Sequence, residues 1–370
     1  MKMKKLLAVL LTMIMVIGIV ACGGDKKEDT KETEAAKEKA EEKAEEKVEE
    51  KAEEKAEEKA EEKAEETEAE KAEEPAGEAK DNSEIVVGFS SKDNSDQFVK
   101  QIADAAQSKA DELGIQLLMS DAAGDVNKQI SDVETFIAQG VDAVVVIPQS
   151  VEGSAPVVSL CNDAGIPIVV DNGDIADTNY TAFVGCTDQE SGEILGQWFV
   201  DNLEAGSKVC ILEGPMGQSG QVGRYAGFEA VGVLDTFEVL AIQTANWKRD
   251  EAMALAEDWI TTFGDDLDAI ICQNDDMAIG ALSAVEAAGR TDIIIGGVDG
   301  LEEAVQAVKE GRMAISVLQD SQGQGEVGVE VAVKAAKGEE VPYDTRIPFR
   351  AITAENVDAY LEGGVDAISD

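Results

Sequence analysis

The sequence predicts an α/β protein made of two similar lobes, each a doubly wound parallel sheet. Three observations support this fold class. From residue 85 onward, short apolar runs lack polar alternation, which is typical of parallel strands buried on both faces. Segments of helical periodicity separate the runs, so the repeating unit is βαβ with right-handed crossovers. The rhythm starts again after Thr187, and this predicts a second lobe.

The predicted elements alternate regularly along the chain. In the first lobe the strands are 85–90, 115–120, 141–148 and 166–172, and the helices are 96–113, 126–139 and 155–164. In the second lobe the strands are 208–214, 239–244, 268–274, 293–299 and 314–319, between helices 190–202, 221–231, 249–262, 276–288 and 301–310. A helix at 325–337 and segments near Ile347 and Ile352 close the chain. Such sheets bind ligands beyond their carboxyl strand ends, so two facing lobes predict a cleft between them.

The N-terminus reads as a secretory leader, residues 1–21. A basic start precedes an apolar run of 16 residues, Leu6 to Ala21, which ends at Cys22. The ending Ile-Val-Ala-Cys resembles a bacterial lipobox, in which the cysteine becomes the lipid-carrying N-terminus. A transmembrane anchor is the alternative, but the run is shorter than the roughly 20 residues that span a bilayer. We therefore expect an extracytoplasmic protein, lipid-anchored to the bacterial cell membrane through Cys22.

Residues 22–82 are expected to form an acidic spacer. The middle of the spacer repeats Glu-Glu-Lys-Ala and has no fixed apolar stripe, so it cannot bury a core. We expect it to be disordered or partly helical, as a tether or as a repeat of no selected length. The lobes are then predicted as residues 84–187 plus 320–347 and residues 188–319 plus 348–370. Three crossing strands near Thr187, Gln319 and Arg350 would form the hinge between them.

Composition excludes several classes of function. Asp and Glu number 77 against 31 Lys and Arg, and the resulting formal charge of −46 repels phosphate backbones, so nucleic acid is not an expected partner. The chain has no His, which excludes His-based triads and His metal sites. Beyond Cys22 there is no C-x-x-C pair, and the remaining cysteines are expected to be packed free thiols, with an exported disulfide as the alternative. These are Cys161, Cys186, Cys210 and Cys272.

Polar and aromatic side chains cluster just after the predicted strand ends. Sugar hydroxyls both donate and accept, and carboxylates, carboxamides and guanidinium groups satisfy them in pairs. Aromatic rings pack on sugar C–H faces, and only 4 % of the chain is aromatic, so Phe98 and Trp247 stand out. For any single residue, a strand-end cap or a core position is the plainer alternative. The candidate ligand-binding residues are Ser91, Asp96, Phe98, Asp171, Asn172, Arg224, Trp247, Asn274, Asp299 and Gln319.

Five stretches carry a family resemblance: FVGCTDQESGEILGQ (183–197), TANWKRDEAM (244–253), IICQNDDMAIGAL (270–282), IGGVDG (295–300) and VLQDSQGQG (317–325). With them, residues 83–361 resemble the sugar-binding type I periplasmic-binding-protein family, especially its galactose/glucose-binding and ribose-binding members. The resemblance implies the solute-binding lipoprotein of an ABC importer, a monomer that closes on one monosaccharide and delivers it to permease subunits. It implies no cofactor and no enzymatic activity. Presentation of the ligand to a chemoreceptor or a sensor kinase is the alternative function.

The resemblance also assigns roles on the galactose/glucose pattern. Asp96 and Phe98 match a carboxylate and a stacking aromatic, and Trp247 matches an indole on the other sugar face. Arg224 matches the arginine that grips ring and hydroxyl oxygens. Asn274 matches the carboxamide of the asparagine-aspartate pair. This pattern favours a hexose such as galactose or glucose.

Other positions mix two patterns. Asp299 matches the aspartate of Gly-Val-Asp-Gly. Asp171 and Gln319 follow the ribose pattern, whereas Asn172 departs from the arginine of that pattern. The segment Leu-Glu-Ala-Gly-Ser-Lys (203–208) stands where a calcium loop would lie and has no Asp-x-Asn-x-Asp series, so no metal is expected.

Two other classes of function are weaker. The segment GQGEVG (323–328) fits G-x-G-x-x-G, but a dinucleotide fingerprint belongs early in a βαβ unit, and this segment lies near the end of the chain. A glycosidase needs two carboxylates flanking one bond, which Asp96, Asp171 and Asp299 could supply in principle. Their role as hydroxyl acceptors is the simpler expectation. Regulators of this fold carry a DNA-binding helix-turn-helix at the N-terminus, where this chain has a leader and a spacer.

Overall fold

A computed structural model of the protein describes residues 80–368, which build two six-stranded sheets flanked by helices. Cys22, the leader and the repeat lie outside the described residues. The strands are β1 (Val86–Ser91), β2 (Gln116–Asp121), β3 (Ala143–Val146), β4 (Ile168–Asn172), β5 (Ala182–Gly185), β6 (Lys208–Glu213), β7 (Glu238–Thr244), β8 (Ala269–Cys272), β9 (Ile294–Asp299), β10 (Ile315–Leu318), β11 (Asp344–Arg346) and β12 (Arg350–Thr353).

Helices fill the connections between these strands. They are α1 (Gln97–Leu113), α2 (Val126–Gln139), α3 (Pro156–Ala164), α4 (Asp188–Asn202), α5 (Ser219–Ala230), α6 (Val233–Thr236), α7 (Arg249–Phe263), α8 (Asp275–Ala288), α9 (Glu302–Lys309), α10 (Ser321–Ala336) and α11 (Val357–Gly363). Short 3-10 turns occur at Asn82–Glu84, Gly264–Asp266 and Val365–Ala367.

The two sheets have related strand orders. The first is β11-β5-β4-β3-β1-β2, parallel throughout, and the second is β12-β10-β9-β8-β6-β7, parallel except for the β10–β12 pair. In each sheet the order reverses beside the first strand, between β1 and β3 and between β6 and β8. Ligands of open α/β sheets bind at such reversal points. The predicted fold class, two doubly wound parallel lobes, is confirmed.

The chain passes between the sheets three times. It leaves the first sheet after β5 and returns to it through α10, which packs on α1, β3 and β4. It then runs from β11 in the first sheet to β12 in the second. The crossings therefore fall between β5 and α4, between β10 and α10, and between β11 and β12. They form the three-stranded hinge of the fold class.

The cores follow from the apolar runs. Every residue of β3 and β8 is buried, as expected for central strands covered by helices on both faces. Helix α1 begins at Asp96, whose side chain accepts hydrogen bonds from the backbone N–H of Phe98 and Val99, and it ends at Gly114 with φ 70°. A side-chain cap at the start and a left-handed glycine at the end are common helix boundary signals.

Several elements differ from the sequence expectation. Strand β5 and the short helices α6 and α11 were not predicted from periodicity, since each offers seven residues or fewer in which to see a pattern. Helix α10 begins at Ser321 instead of residue 325, because the Asp320 side chain caps it by accepting from Gly323 N. The segment GQGEVG therefore lies inside a helix. Its Gly325 packs against the Ile102 carbonyl, and it is not a phosphate-binding loop.

The four cysteines within residues 80–368 are free and buried. Burial raises the pKa of Cys161 and of Cys210 to about 12, so both are neutral thiols. The same residues contain no cluster of His, Cys, Asp or Glu suited to a metal ion. Their helices also include none with the length and apolarity to span a bilayer.

Candidate functional site

A cavity lies between the two sheets, at the carboxyl ends of their strands. We call it the inner cavity, and its empty volume is about 320 Å³ when the part open to solvent is counted. Both lobes contribute to its wall, which consists of Lys92, Asp96, Phe98, Asn172, Asp188, Ser219, Gly220, Arg224, Trp247, Asn274, Asp299 and Gln319. A wider outer cleft shares Lys92, Asp96 and Trp247 with the inner cavity and opens to solvent.

Eight of the ten predicted ligand-binding residues line the inner cavity: Asp96, Phe98, Asn172, Arg224, Trp247, Asn274, Asp299 and Gln319. The topology explains their convergence. In the first lobe Asn172 is the last residue of β4, and in the second lobe Asp299 is the last residue of β9. Gln319 directly follows β10 at a crossing between the sheets. Parallel strands thus place side chains that are distant in sequence at one edge.

Ser91 and Asp171 do not line the inner cavity. Ser91 is fully buried and its hydroxyl bonds to Asn94 Oδ1 at 2.6 Å. Asp171 is fully buried on the face of β4 that α10 covers, since a Cβ on Gly328 would lie 2.6 Å from its Oδ2. Neither Asp171 oxygen has a well-formed hydrogen bond. Burial raises the pKa of Asp171 well above its ordinary value. Successive side chains of a strand point to opposite faces, so a shift of one residue along β4 decides whether a side chain faces the cavity or α10.

Unusual backbone geometry is concentrated around the inner cavity and the outer cleft. Within the described residues the non-glycine residues with positive φ are Ala123, Asn172, Asn246, Trp247 and Asp299, and each lines the inner cavity or the outer cleft. Non-glycine residues in this region cost free energy and persist where the surrounding structure fixes them. Their clustering points to the cleft as a functional region.

Trp247 is held firmly in the second lobe. Its indole Nε1 donates to Gln218 Oε1 at 2.7 Å, and its ring lies against Gly214, where any side chain would collide with it. The Arg224 guanidinium carbon is 5.5 Å from the ring centroid, within the range of a cation–π contact. Trp247 is only 8 % exposed. The ring therefore packs within its own lobe while its remaining surface faces the inner cavity.

Arg224 crosses the floor of the inner cavity. Its Nη1 donates to the Gln273 carbonyl, and its Nη2 donates to Gln319 Oε1 at 3.1 Å. The same Nη2 lies 3.8 Å from Asp299 Oδ1 and 4.0 Å from Asp188 Oδ1. Its Nε has no partner within the described structure. Neutral oxygen acceptors thus orient the guanidinium. The charges of Asp188 and Asp299 offset its positive charge from distances longer than a hydrogen bond.

Asp96 and Asp299 present carboxylates to the inner cavity from opposite lobes. Asp96 Oδ1 caps α1, accepting from Phe98 N at 2.9 Å, and Asp299 contacts Arg224 only at the 3.8 Å given above. Burial raises the pKa of Asp96, which Lys92 opposes. Burial raises the pKa of Asp299 well above its ordinary value, which Arg224 opposes. Carboxylates with spare lone pairs are suited to accept hydrogen bonds from a ligand.

Asp275 fixes the turn that carries Asp299. Its Oδ2 accepts from Gly300 N and Leu301 N, both at 2.9 Å, and from Ser316 Oγ at 2.7 Å. Burial raises the pKa of Asp275 to about 6 against these hydrogen bonds. The adjacent Asn274 uses its Oδ1 to cap α8, by accepting from Met277 N at 3.0 Å, and its amide nitrogen is left for other partners.

Four cavity residues were absent from the sequence prediction: Lys92, Asp188, Ser219 and Gly220. Asp188 Oδ2 accepts from Ser219 Oγ at 2.7 Å, a contact between the starts of α4 and α5. Lys92 comes one residue after β1, so strand-end position alone was a usable signal. A lysine was not among the carboxylates, amides and aromatics expected at the strand ends.

Comparisons with known proteins agree with this architecture. Residues 87–340 match the family model described as periplasmic binding protein domain. The chain is 36% identical to the xylitol-binding protein of Mycolicibacterium smegmatis over 72% of this chain and 76% of that protein. It is 33% identical to the ribose import binding protein RbsB of Haemophilus influenzae over 73% of this chain and 91% of that protein.

A solved structure is similar in fold and sequence. It is an ABC transporter solute binding protein from Bacillus halodurans with bound myo-inositol, with TM-score 0.72 and 36% identity, covering 76% of this chain and 98% of that one. These relatives are binding proteins, and the family is periplasmic or extracytoplasmic. The chain therefore belongs to the type I periplasmic-binding-protein family, among the sugar-binding proteins that serve ABC transporters.

Proposed function

We propose that this protein binds one neutral, polyhydroxylated small molecule, a monosaccharide or a polyol, in the inner cavity and delivers it to the permease subunits of an ABC importer. The observation that carries the proposal is the wall of this cavity. Asp96 faces it from the first lobe, and Arg224, Asn274 and Asp299 face it from the second. Each of these side chains keeps donors or acceptors that the protein does not use fully.

The available groups suit hydroxyls. A hydroxyl donates one hydrogen bond and accepts others, so it needs an acceptor and a donor together. Asp96 and Asp299 supply acceptors, and Arg224 and the Asn274 amide nitrogen supply donors. Hydrogen bonds to charged groups are stronger than those between neutral ones, and a closed cavity strengthens them further. The ligand's hydroxyls would thus bridge groups of the two lobes.

Phe98 and Trp247 line the same cavity from different lobes. We propose that they cover opposite apolar faces of the ligand when the lobes close. Ring faces contribute by burying C–H groups at low cost in side-chain entropy. Binding then stabilises the closed arrangement by the ligand's differential affinity for it.

The relatives define a suitable ligand panel. One relative is a xylitol-binding protein, another is a ribose import binding protein, and the similar solved structure has bound myo-inositol. The candidate residues combine galactose/glucose-like and ribose-like positions, so a linear polyol, a cyclitol, a pentose and a hexose all belong in the panel. We propose binding without covalent chemistry, because the cavity's carboxylates can act as hydroxyl acceptors.

We further propose that the protein works as a monomer held at the outer face of the membrane by a lipid on Cys22. The short apolar leader that ends in Ile-Val-Ala-Cys supports the anchor. Residues 22–82 would then act as the tether between the membrane and the lobes.

A thermal-shift panel tests the function. The purified protein is melted with xylitol, myo-inositol, ribose, galactose or glucose in excess, and sodium sulfate serves as a non-sugar control. At a concentration of about 100 Kd, a true ligand stabilises by about 2.7 kcal/mol, which raises Tm by roughly 4–5 °C. No shift with any polyol or sugar, over a concentration range up to tens of millimolar, would contradict the proposal.

A further inference from the structure

Lys92 occupies an unusual place in the cleft. It lies one residue beyond β1 and lines both the inner cavity and the outer cleft. Within the described structure its Nζ makes one hydrogen bond, a long one of 3.5 Å to Asn172 Oδ1. An ammonium group carries three donors. Lys92 therefore brings a part-buried charge with unused donors to the place where the two lobes meet.

The charges around Lys92 come from both lobes. Asp96 attracts it from the first lobe, Asp188 and Asp299 attract it from the second, and Arg224 repels it. The balance is three carboxylates against two cations. A ligand carboxylate or phosphate would add to the acidic excess, whereas a neutral ligand leaves the balance unchanged. The Lys92 ammonium group has no acceptor atom, so it can only donate a hydrogen bond to an oxygen of the ligand.

We propose that Lys92 is a specificity-determining residue whose ammonium donates a hydrogen bond to one oxygen of the bound ligand. The inference rests on the proposed function and names its ligand class more narrowly. The cavity selects a neutral ligand with a hydroxyl at the position that faces Lys92. It rejects the same ligand when that hydroxyl is missing, because the ammonium then loses its partner in a closed cavity. It also rejects an amine there, because two cations would face each other.

Calorimetry on matched variants tests this. Lys92→Met removes the charge and keeps the length, and Lys100→Met on the exposed face of α1 is the control. The titrants are whichever of xylitol, myo-inositol, ribose, galactose and glucose binds most tightly, and its mono-deoxy forms. We expect Lys92→Met to weaken binding about 10- to 100-fold, as for loss of a charge-assisted hydrogen bond. The wild type should bind one of the deoxy forms about 10- to 100-fold more weakly than the parent ligand. Lys92→Met should bind that deoxy form and the parent ligand with nearly the same affinity.

The pH dependence adds a readout that a structural role would not move. Burial lowers the pKa of Lys92, against the attraction of Asp96, Asp188 and Asp299. The ammonium is lost as pH rises through this lowered pKa, so wild-type affinity should fall on the alkaline side. Lys92→Met should show no such fall, whereas Lys100→Met should follow the wild type. Asp96, Asp188, Asp299 and Arg224 are common to all three proteins.

The outcomes separate the two claims. If no polyol or sugar binds the wild type, the proposed function itself fails. If the wild type binds and Lys92→Met retains its affinity, its preference over deoxy forms and its pH profile, the role of Lys92 is overturned while the proposed function stands. Melting both variants without ligand shows whether each is folded.

Discussion

Trp247 donates its indole N–H to Gln218 Oε1 at 2.7 Å, and both residues belong to the second lobe. Gly214 and Arg224 complete the surroundings of the ring. The orientation of the indole is therefore set before the ligand arrives. Trp247 therefore has two roles: it packs its own lobe and it borders the inner cavity.

Truncating Trp247 should reveal both roles. Trp247→Ala is expected to weaken ligand binding by about 2–4 kcal/mol, roughly 30- to 1,000-fold, as for a buried aromatic anchor. It should also lower the Tm of the unliganded protein, because the ring packs against Gly214. Calorimetry and thermal melting of the same variant give the two numbers.

Trp259→Ala is the matched control for that variant. Trp259 is a buried tryptophan of α7 in the same lobe and does not line the inner cavity. It should lower Tm and leave affinity within about threefold of the wild type, since a stability loss alone changes affinity little while the protein stays folded. Equal losses of affinity in both variants would show that Trp247 acts through lobe stability.

Substitution of Asp171 tests whether its side chain is buried on the face of β4 that α10 covers. Because its folded pKa is raised, its contribution to stability is full below the ordinary carboxyl pKa and is lost as pH rises through the raised value. Asp171→Asn should therefore raise the Tm of the unliganded protein at pH 8, by roughly 2 °C for each kcal/mol gained, and less at pH 5. Asp104→Asn, on the exposed face of α1, is the control variant.

Ligand affinity of Asp171→Asn separates two interpretations. The structure places the side chain against α10, so affinity should stay within about threefold of the wild type. A loss of tenfold or more would mean that Asp171 contacts the ligand, as the ribose-like pattern implies.

Sequence patterns predicted the parts of this protein that depend on local periodicity. The uniformly apolar runs predicted the parallel strands. The polar and aromatic residues at the strand ends predicted most of the cavity wall. Periodicity gave no sign of β5, which has four residues, or of which side of β4 would carry Asp171. The helix that covers each face of β4 is set by contacts between distant segments, which no single window of sequence contains. Lys92 was not predicted, although it directly follows β1, because lysine was not among the residue types expected at the strand ends.

The proposed lobe boundaries make a folding prediction. Helix α10 packs on α1, β3 and β4, and it buries Val329 and Ala332 completely. A fragment that ends at residue 187 lacks α10 and leaves that face of the first sheet uncovered. We expect residues 80–187 to show no cooperative thermal unfolding by circular dichroism. A sharp transition in that fragment alone would contradict the proposal that residues 320–347 complete the first lobe.

The lipid anchor has a direct chemical test. In a bacterial host that lipidates exported proteins, Cys22→Ala should abolish incorporation of radiolabelled palmitate and leave the protein uncleaved or soluble. Cys161→Ala is the control, because that thiol is buried in the first lobe. Normal labelling of Cys22→Ala would show that the lipid is carried elsewhere or that the lipobox interpretation is wrong.

The central claim is that one polyhydroxylated ligand binds between the lobes, and titration calorimetry of the wild type and Asp299→Ala tests it most directly. Asp299 ends β9, and its carboxylate faces the inner cavity beside Arg224. We predict one ligand per chain for the wild type. Asp299→Ala should bind it about 2–4 kcal/mol more weakly, because ligand hydroxyls and Arg224 would lose a charged partner in a closed cavity. Unchanged affinity in Asp299→Ala, measured with the ligand that binds the wild type, would contradict the account.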